Sequence, residues 1–367
     1  MLHEELIYVM ALHKAKGIGD INAKKLIAHF GSAKSVLEEK KNLLEKVPGI
    51  GIRTVQSLLD SKNLIKAEKE LRYIEKNGIQ THYFLDSNYP ESLKQCIDAP
   101  VLFFSKGMVN FDQRRSLSVV GTRKMTYYGK EICAKLIEEM VKYDPIIVSG
   151  FAYGVDICAH KMAVKNGLQT IAVLAHGFEE IYPKEHKKHI DEILEKGGFI
   201  SEFWHNDILL KENFIKRNRI VAGISQATVV IESAEKGGSL VTADIANSYS
   251  RDVFAIPGRT TDFFSRGCND LIQQHKASMI ANTLDIPKLL NWDASQSKKS
   301  QIQKKLFVEL LPEEQIIFDF LVDNGKENLD KIALNCDFTI QKTATHLFNM
   351  ELKGMIIPIP GKYFEAI

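Results

Sequence analysis

Leu117-Ser118-Val119-Val120-Gly121-Thr122-Arg123, and after it Ile146-Ile147-Val148-Ser149-Gly150-Phe151-Ala152-Tyr153-Gly154-Val155-Asp156, set the reading of the fold. Twice in close succession an apolar, β-branched run stops at a glycine-containing turn, and a helical pattern follows. The spacing predicts strand 117–120, helix 128–142, strand 146–149, helix 155–166 and strand 169–174. Strand and helix signals go on alternating through 198–201, 219–224, 228–232, 240–248, 252–256 and 270–274. Continuous runs such as Thr228-Val229-Val230-Ile231 suit strands covered by helices on both faces. The expected architecture is α/β: an extended Rossmann-like, doubly wound sheet.

Working outward, 81–84 and 101–104 read as short strands that add to the edge of that sheet, behind a polar helix at about 62–77. Before them, Lys16-Gly17-Ile18-Gly19 and Val47-Pro48-Gly49-Ile50-Gly51 interrupt helical periodicity, each ahead of a further helix. The repeat reads either as a pair of helix-hairpin-helix elements, with Lys24, Lys25 or Arg53 beside a DNA phosphate, or as turns between short packed helices. The segment 293–305 is rich in Ser, Gln and Lys and reads as a linker. Beyond it, helices at 313–322, 329–335 and 340–353 and a terminal hairpin read as a winged-helix-like domain. Its third helix offers Lys342, His346 and Lys353 against apolar Ala344, Leu347 and Leu352, which leaves protein docking and DNA contact both open. The expected division is a helical N-terminal domain (1–64), the Rossmann-like domain (65–292), a linker (293–306) and a winged-helix-like C-terminal domain (307–367).

The 48 Lys and Arg are offset by 46 Asp and Glu, so any affinity for a polyanion has to come from a local patch and not from a global field. Five cysteines without CxxC spacing argue against a zinc site or a disulfide framework and point to a reducing cytoplasm. No apolar run reaches the roughly 20 residues of a membrane span, and the opening residues lack the order of an export signal.

The turns carry the chemistry. After the 117–120 strand, Gly121 lets the backbone approach a ligand, Thr122 supplies a hydroxyl, and Arg123 offers a planar fork to two phosphate oxygens. Ser149 and Gly150 end the next strand, and N–H groups at the following helix start favour an anion. Asp156 reads either as a stabiliser of that helix start or as the group that orients Arg123 or a loop amide. Lys161, a turn further on, is a candidate phosphate contact. Lys216-Arg217-Asn218-Arg219 concentrates cations around an Asn that holds a loop or reads a base edge, and Gly238 opens another glycine-to-helix turn. Tyr127, Tyr153 and Phe214 are candidates for base stacking or for ordinary core anchors. No GxxxxGK[ST] or GxGxxG sequence is present in these turns. Ser149, Asp156 and His160 contain the residue types of a hydrolytic triad without its geometry. His176, Glu179, Glu180, His186 and His189 lack metal-ligand spacing, so no cofactor, metal or catalytic residue is expected.

Gly121-Thr122-Arg123, Ser149 to Asp156, Ile171 to Leu174, Tyr182-Pro183, Ser201-Glu202, Arg217-Asn218-Arg219, Gly238 to Ala243, Val253 to Gly258 and Ser265 to Ile272 together resemble the DNA-processing protein A family, also called DprA or Smf. The resemblance implies a non-catalytic, homodimeric protein that binds single-stranded DNA, protects incoming strands in natural transformation and loads RecA recombinase onto them. It implies Arg123, Lys161, Arg217 and Arg219 as phosphate contacts, with Gly121, Thr122, Ser149, Gly150, Asn218 and Gly238 shaping the pocket. The competing reading is an enzyme that processes a nucleotide or phosphoribosyl compound on the same turns.

Overall fold

The computed structural model describes residues 3–111, 115–293, 310–359 and 362–366. The chain divides into a unit of residues 1–295 and a unit of residues 296–367. All but one of the residues of the expected linker lie outside the described residues.

The larger unit begins with helices α1 (His3–Lys14), α2 (Asp20–Phe30), α3 (Ala33–Glu38), α4 (Lys41–Leu44), α5 (Ile52–Leu58) and α6 (Lys62–Lys76). Gly19 and Gly51, from the two glycine repeats of the sequence, stand as N-caps of α2 and α5. The buried faces of these helices share one core with Tyr83, Leu102, Phe104 and Trp204 of the following segment. The expected domain edge at 64/65 falls inside α6, and the helices are joined to the sheet by continuous apolar packing.

There follow β1 (Gln80–Tyr83), α7 (Glu91–Lys94), β2 (Leu102–Gly107), β3 (Ser116–Val120), α8 (Tyr127–Met140), β4 (Ile146–Ser149), α9 (Val155–Lys165), β5 (Thr170–Val173), α10 (Ile190–Lys196), β6 (Gly197–Ser201), α11 (Lys211–Ile224), β7 (Ala227–Val230), α12 (Gly238–Ser248), β8 (Asp252–Ala255), α13 (Arg266–Gln273), β9 (Ser278–Met279) and α14 (Asp285–Leu289). The strands form one sheet of nine in the order β1-β2-β6-β5-β4-β3-β7-β8-β9. From β6 to β9 all neighbours are parallel, while β1 and β2 close one edge antiparallel. In register, Leu117 faces Ala227 and Val120 faces Val230 across the β3–β7 pair.

Every residue of β3 to β7 is buried, which is why their sequences read as unbroken apolar runs. Two cores result, one on each face: Val120, Val148, Ile171 and Val230 on one side, Leu117, Val119, Ile147 and Val229 on the other. Each such side chain, fully buried, contributes roughly 1.5–3 kcal/mol. Ser118 is tolerated inside because its hydroxyl bonds to Val221 O at 2.7 Å and Ser225 Oγ at 2.8 Å.

Progress from β3 to β6 moves one way across the sheet, and β7 to β9 lie on the other side of β3. The strand order therefore reverses between β3 and β7, and a crevice opens beyond their carboxyl ends.

The smaller unit packs helices Pro312–Asn324, Leu329–Asn335 and Ile340–Leu352 against a three-stranded antiparallel sheet of Glu327–Asn328, Tyr363–Ala366 and Ile356–Ile359, with Tyr363–Ala366 central. Ile317, Leu321, Ile332, Leu347, Met350 and Ile356 fill its own core. Three helices and a hairpin match the winged-helix-like expectation.

Candidate functional site

At the switch point lies an open cavity of about 370 Å³. Gly121, Thr122 and Arg123 line it from the end of β3, and Gly150, Ala152 and Asp156 from the end of β4. Phe214, Arg217 and Asn218 of α11, with Ser233, Ala234, Lys236 and Gly237 ahead of α12 and Gly238 and Ser239 at its start, close the other sides.

Contacts that leave no space for a side chain fix the walls. Thr122 N–H donates to Glu232 O at 2.7 Å, and Val155 N–H donates to Thr122 O at 3.2 Å, so the first turn is stitched to both neighbours. Gly154 takes φ +75°, where a Cβ would stand 2.1 Å from Thr122 O, and only glycine fits there. A Cβ at Gly150 would lie 2.6 Å from the Arg217 guanidinium. Above Gly238 the space is open, with nothing within 4 Å of a Cβ position. Asn218 Nδ2 reaches Gly238 O at 3.5 Å and its Oδ1 accepts from Arg217 Nε at 3.2 Å, linking α11 to the α12 turn.

Arg217 forms the floor. It is 5% exposed, and its Nη1 donates to the carbonyls of Gly150 and Val173. Burial pulls its pKa down to about 10, against the opposing attraction of Asp156, so it stays charged at neutral pH. Burial likewise raises the Asp156 carboxyl, and Arg217, the Ala152 N–H and Ser149 pull it back. Arg217 thus supplies a fixed positive charge beneath the cavity and bolts the Gly150 turn to β5.

The rim carries the accessible charge. Arg123 is exposed, has no ion pair among the described residues, and lies with its guanidinium carbon 5.3 Å from the Phe214 ring centroid. Lys236, also exposed and without an ion pair among the described residues, faces the same space. Sequence reasoning missed Lys236, although its place two residues before the Gly238 turn was the available signal. It also missed Glu232, a buried carboxylate that accepts from Thr126 N–H at 2.9 Å and from the Thr126 hydroxyl. This contact fixes the start of α8 and with it the loop that carries Arg123.

Three expected site residues lie elsewhere. Ser149 is fully buried below the turn and donates to Val119 O at 2.6 Å. Lys161 sits on the exposed face of α9, two turns from the cavity end of that helix, and does not line the space. Arg219 is the clearest correction: the segment 211–224 is one helix, so residues two apart point about 200° away from each other. Arg217 faces the cavity, while Arg219 faces the N-terminal helices, pairing with Asp20 at 2.9 Å and with Glu202. Those carboxylates offset the cost of its burial and hold its pKa above the ordinary value. Arg219 ties α2 to α11 instead of meeting a ligand in the cavity.

Ser149 and His160 have separate partners, since His160 Nδ1 pairs with Thr170 Oγ1 at 2.7 Å and burial lowers the His160 pKa to about 3. They form no nucleophile–base pair. Among the described residues, no three His, Cys, Asp or Glu side chains converge on a metal-binding point, and no helix is long and apolar enough to cross a membrane. What the arrangement offers is anion binding: two exposed cations without an ion pair among the described residues, one buried cation and a helix start over open space.

Comparison with known proteins bears on this geometry. The family model described as DNA recombination-mediator protein A matches residues 80–291, the whole sheet with its turns. The DNA processing protein DprA of Streptococcus pneumoniae is 39% identical over 202 residues, covering 55% of this chain and 71% of that protein. The protein Smf of Escherichia coli is 29% identical over 345 residues, 92% of this chain and 90% of its own. The X-ray structure of the Streptococcus pneumoniae protein superposes with a TM-score of 0.65 at 30% identity, covering 76% of this chain and 96% of that one. A structure of DNA processing protein A from Helicobacter pylori, whose subject is that protein's single-stranded DNA binding mode, gives a TM-score of 0.53 at 30% identity, with 59% and 96% covered.

Proposed function

Because this chain belongs to the DNA recombination-mediator protein A family, we propose that it binds single-stranded DNA at the switch-point cavity and acts there as a recombination mediator. The observation that carries the reading is the combination of a buried, backbone-anchored Arg217 with exposed Arg123 and Lys236, which have no ion pair among the described residues, on the rim of one open cavity. A phosphate entering this space meets a guanidinium fork at Arg123, the α12 N-terminus at Gly238 and the field of Arg217 below. Phe214 already stacks under Arg123, and the exposed Tyr127 and Tyr153 offer ring faces near the same turns.

Binding of this kind releases counterions, so affinity falls with salt by a slope of roughly 0.7 per phosphate contact on a single strand. It holds a strand without cutting it. The finer role in this reading is shielding of incoming strands in transformation and loading of RecA recombinase by a homodimer, in which two linked sites would raise the effective concentration of strand.

Fluorescence anisotropy with labelled single-stranded and duplex DNA over a salt series tests the site. Arg123→Ala is expected to weaken strand binding about tenfold or more, the size of a lost charge-assisted hydrogen bond, and to flatten the salt slope with thermal unfolding unchanged. Equal affinity in the two proteins removes the assigned site. Binding of a mononucleotide as tight as that of a strand moves the cavity to a small phosphate ligand.

A further inference from the structure

A second open cavity, of about 740 Å³, lies between the N-terminal helices and α11. Helix α11 borders both spaces: Arg217 lines the first, Arg219 the second, and Ile215 both. Ile18 and Ile21 from the first glycine turn and α2, Phe203 after β6, and Ile215 and Ile245 give the second cavity apolar walls. Ile21 and Ile215 are 50% and 59% exposed, so the slot is open to solvent at its mouth.

The polar groups of this cavity are incompletely paired. Glu202 is only 6% exposed; its Oε2 accepts from Arg219 Nη2, while its Oε1 has no hydrogen-bond partner among the described residues. The same holds for Arg219 Nη1 and for His13 Nδ1, and all three side chains line the space. Burial lowers the His13 pKa, so its ring is neutral at pH 7. Buried polar atoms are costly without partners, and these call for a ligand that offers a donor and an acceptor together. A charged ligand of either sign would be attracted by one member of the Arg219–Glu202 pair and repelled by the other. A neutral group with a donor beside an acceptor suits both, and on a flat, otherwise apolar body that pattern is the edge of a nucleobase.

We propose that this cavity receives an unstacked base of the strand whose phosphates are held at Arg123, with the base edge on Glu202 and Arg219 and its ring against Ile21 and Ile215. The inference rests on the strand-binding reading above. Ile215, common to both cavities, is the wall over which the strand passes from phosphate site to base site. Lys216, exposed beside it and without an ion pair among the described residues, meets the next phosphate. Every base carries a donor next to an acceptor on its pairing edge, so the site holds a base without selecting a sequence.

The test irradiates the full chain with a strand of 4-thiothymidine and maps the crosslinked peptides by mass spectrometry. Crosslinks are expected on the peptides that carry Ile18 to Ile21 and Phe203, besides any beside Phe214. In anisotropy, Ile21→Asn is expected to weaken binding of a thymidine strand about three- to tenfold and to leave a base-free strand of the same length unchanged. Crosslinks confined to the Arg123 and Phe214 peptides, with salt-dependent binding intact, overturn the base site alone, as does an equal loss on the base-free strand. Crosslinking by 4-thiothymidine monophosphate as strong as by the strand overturns it in favour of a free nucleotide. Absence of strand binding removes the strand-binding reading and the base site with it. If Ile21→Asn does not fold, the crosslink map of the unaltered chain decides alone.

Discussion

The central cavity and the third helix of the C-terminal unit both carry cations, yet those cations are in opposite states. On the helix Ile340–Leu352, Lys342 lies 2.5 Å from Glu313 and His346 Nε2 lies 3.0 Å from the other oxygen of the same carboxylate. Lys353, just past its end, pairs with Glu314. The first helix of that unit therefore neutralises the side chains that would face a groove. At the cavity, Arg123 and Lys236 have no ion pair among the described residues, and the buried Arg217 is turned inward to hold the floor. A count of Lys and Arg thus says little about where a polyanion binds. What matters is whether the fold has already supplied the counter-charge.

The largest expected effect lies at the cavity floor. Arg217→Ala leaves two buried carbonyls and the Asp156 carboxylate without their cation, and is expected to cost about 3–5 kcal/mol in urea unfolding. A loss below about 1 kcal/mol would mean that the floor is held by other contacts.

Next in size is a pH effect confined to the larger unit. The folded pKa of His160 is lowered to about 3 from an unfolded value near 6.5, so the unfolded chain binds the extra proton between those values. Stability is therefore intact above the unfolded pKa and is lost as pH falls. From pH 7 to pH 5 this histidine alone removes about 2 kcal/mol, and His160→Gln is expected to flatten the slope by that amount in denaturant titrations at the two pH values. An unchanged slope would place the titration elsewhere.

Smaller effects belong to the rim. Lys236→Ala is expected to weaken strand binding by about three- to tenfold, with the unfolding midpoint unchanged. Smallest of all is Lys342→Ala, whose cation is already paired: strand affinity is expected to stay within about twofold in the same anisotropy assay. A loss at Lys342 equal to that at Lys236 would erase the contrast between the two regions and give the C-terminal helix a share of the strand.

The alternation of buried strands with glycine turns was legible because burial on both faces forces continuous apolar runs, and the chain must turn tightly where those runs end. The turns Gly121 to Arg123, Gly150 to Asp156 and Gly237 to Ser239 were legible for the same reason, and the cavity they line follows from the strand order. Glu232 was not legible. A lone acid after a strand acquires meaning only when Thr126, distant in sequence, is folded against it. The segment 211–224 misled, because Arg217-Asn218-Arg219 read as one cluster of cations, while on a helix Arg217 and Arg219 point to different surfaces.

Sequence by itself determined the fold class, the order of its elements and the positions where backbone approaches a ligand, since these depend on local pattern: side-chain period, β-branching and glycine. Tertiary structure alone decided which cations are free. Arg217, Arg219, Lys342 and Lys353 are chemically ready to meet a phosphate, and each is claimed by carbonyls or carboxylates that lie far away along the chain. Desolvation sets this outcome: a buried charge must find partners within the protein, and only packing determines which charges are buried.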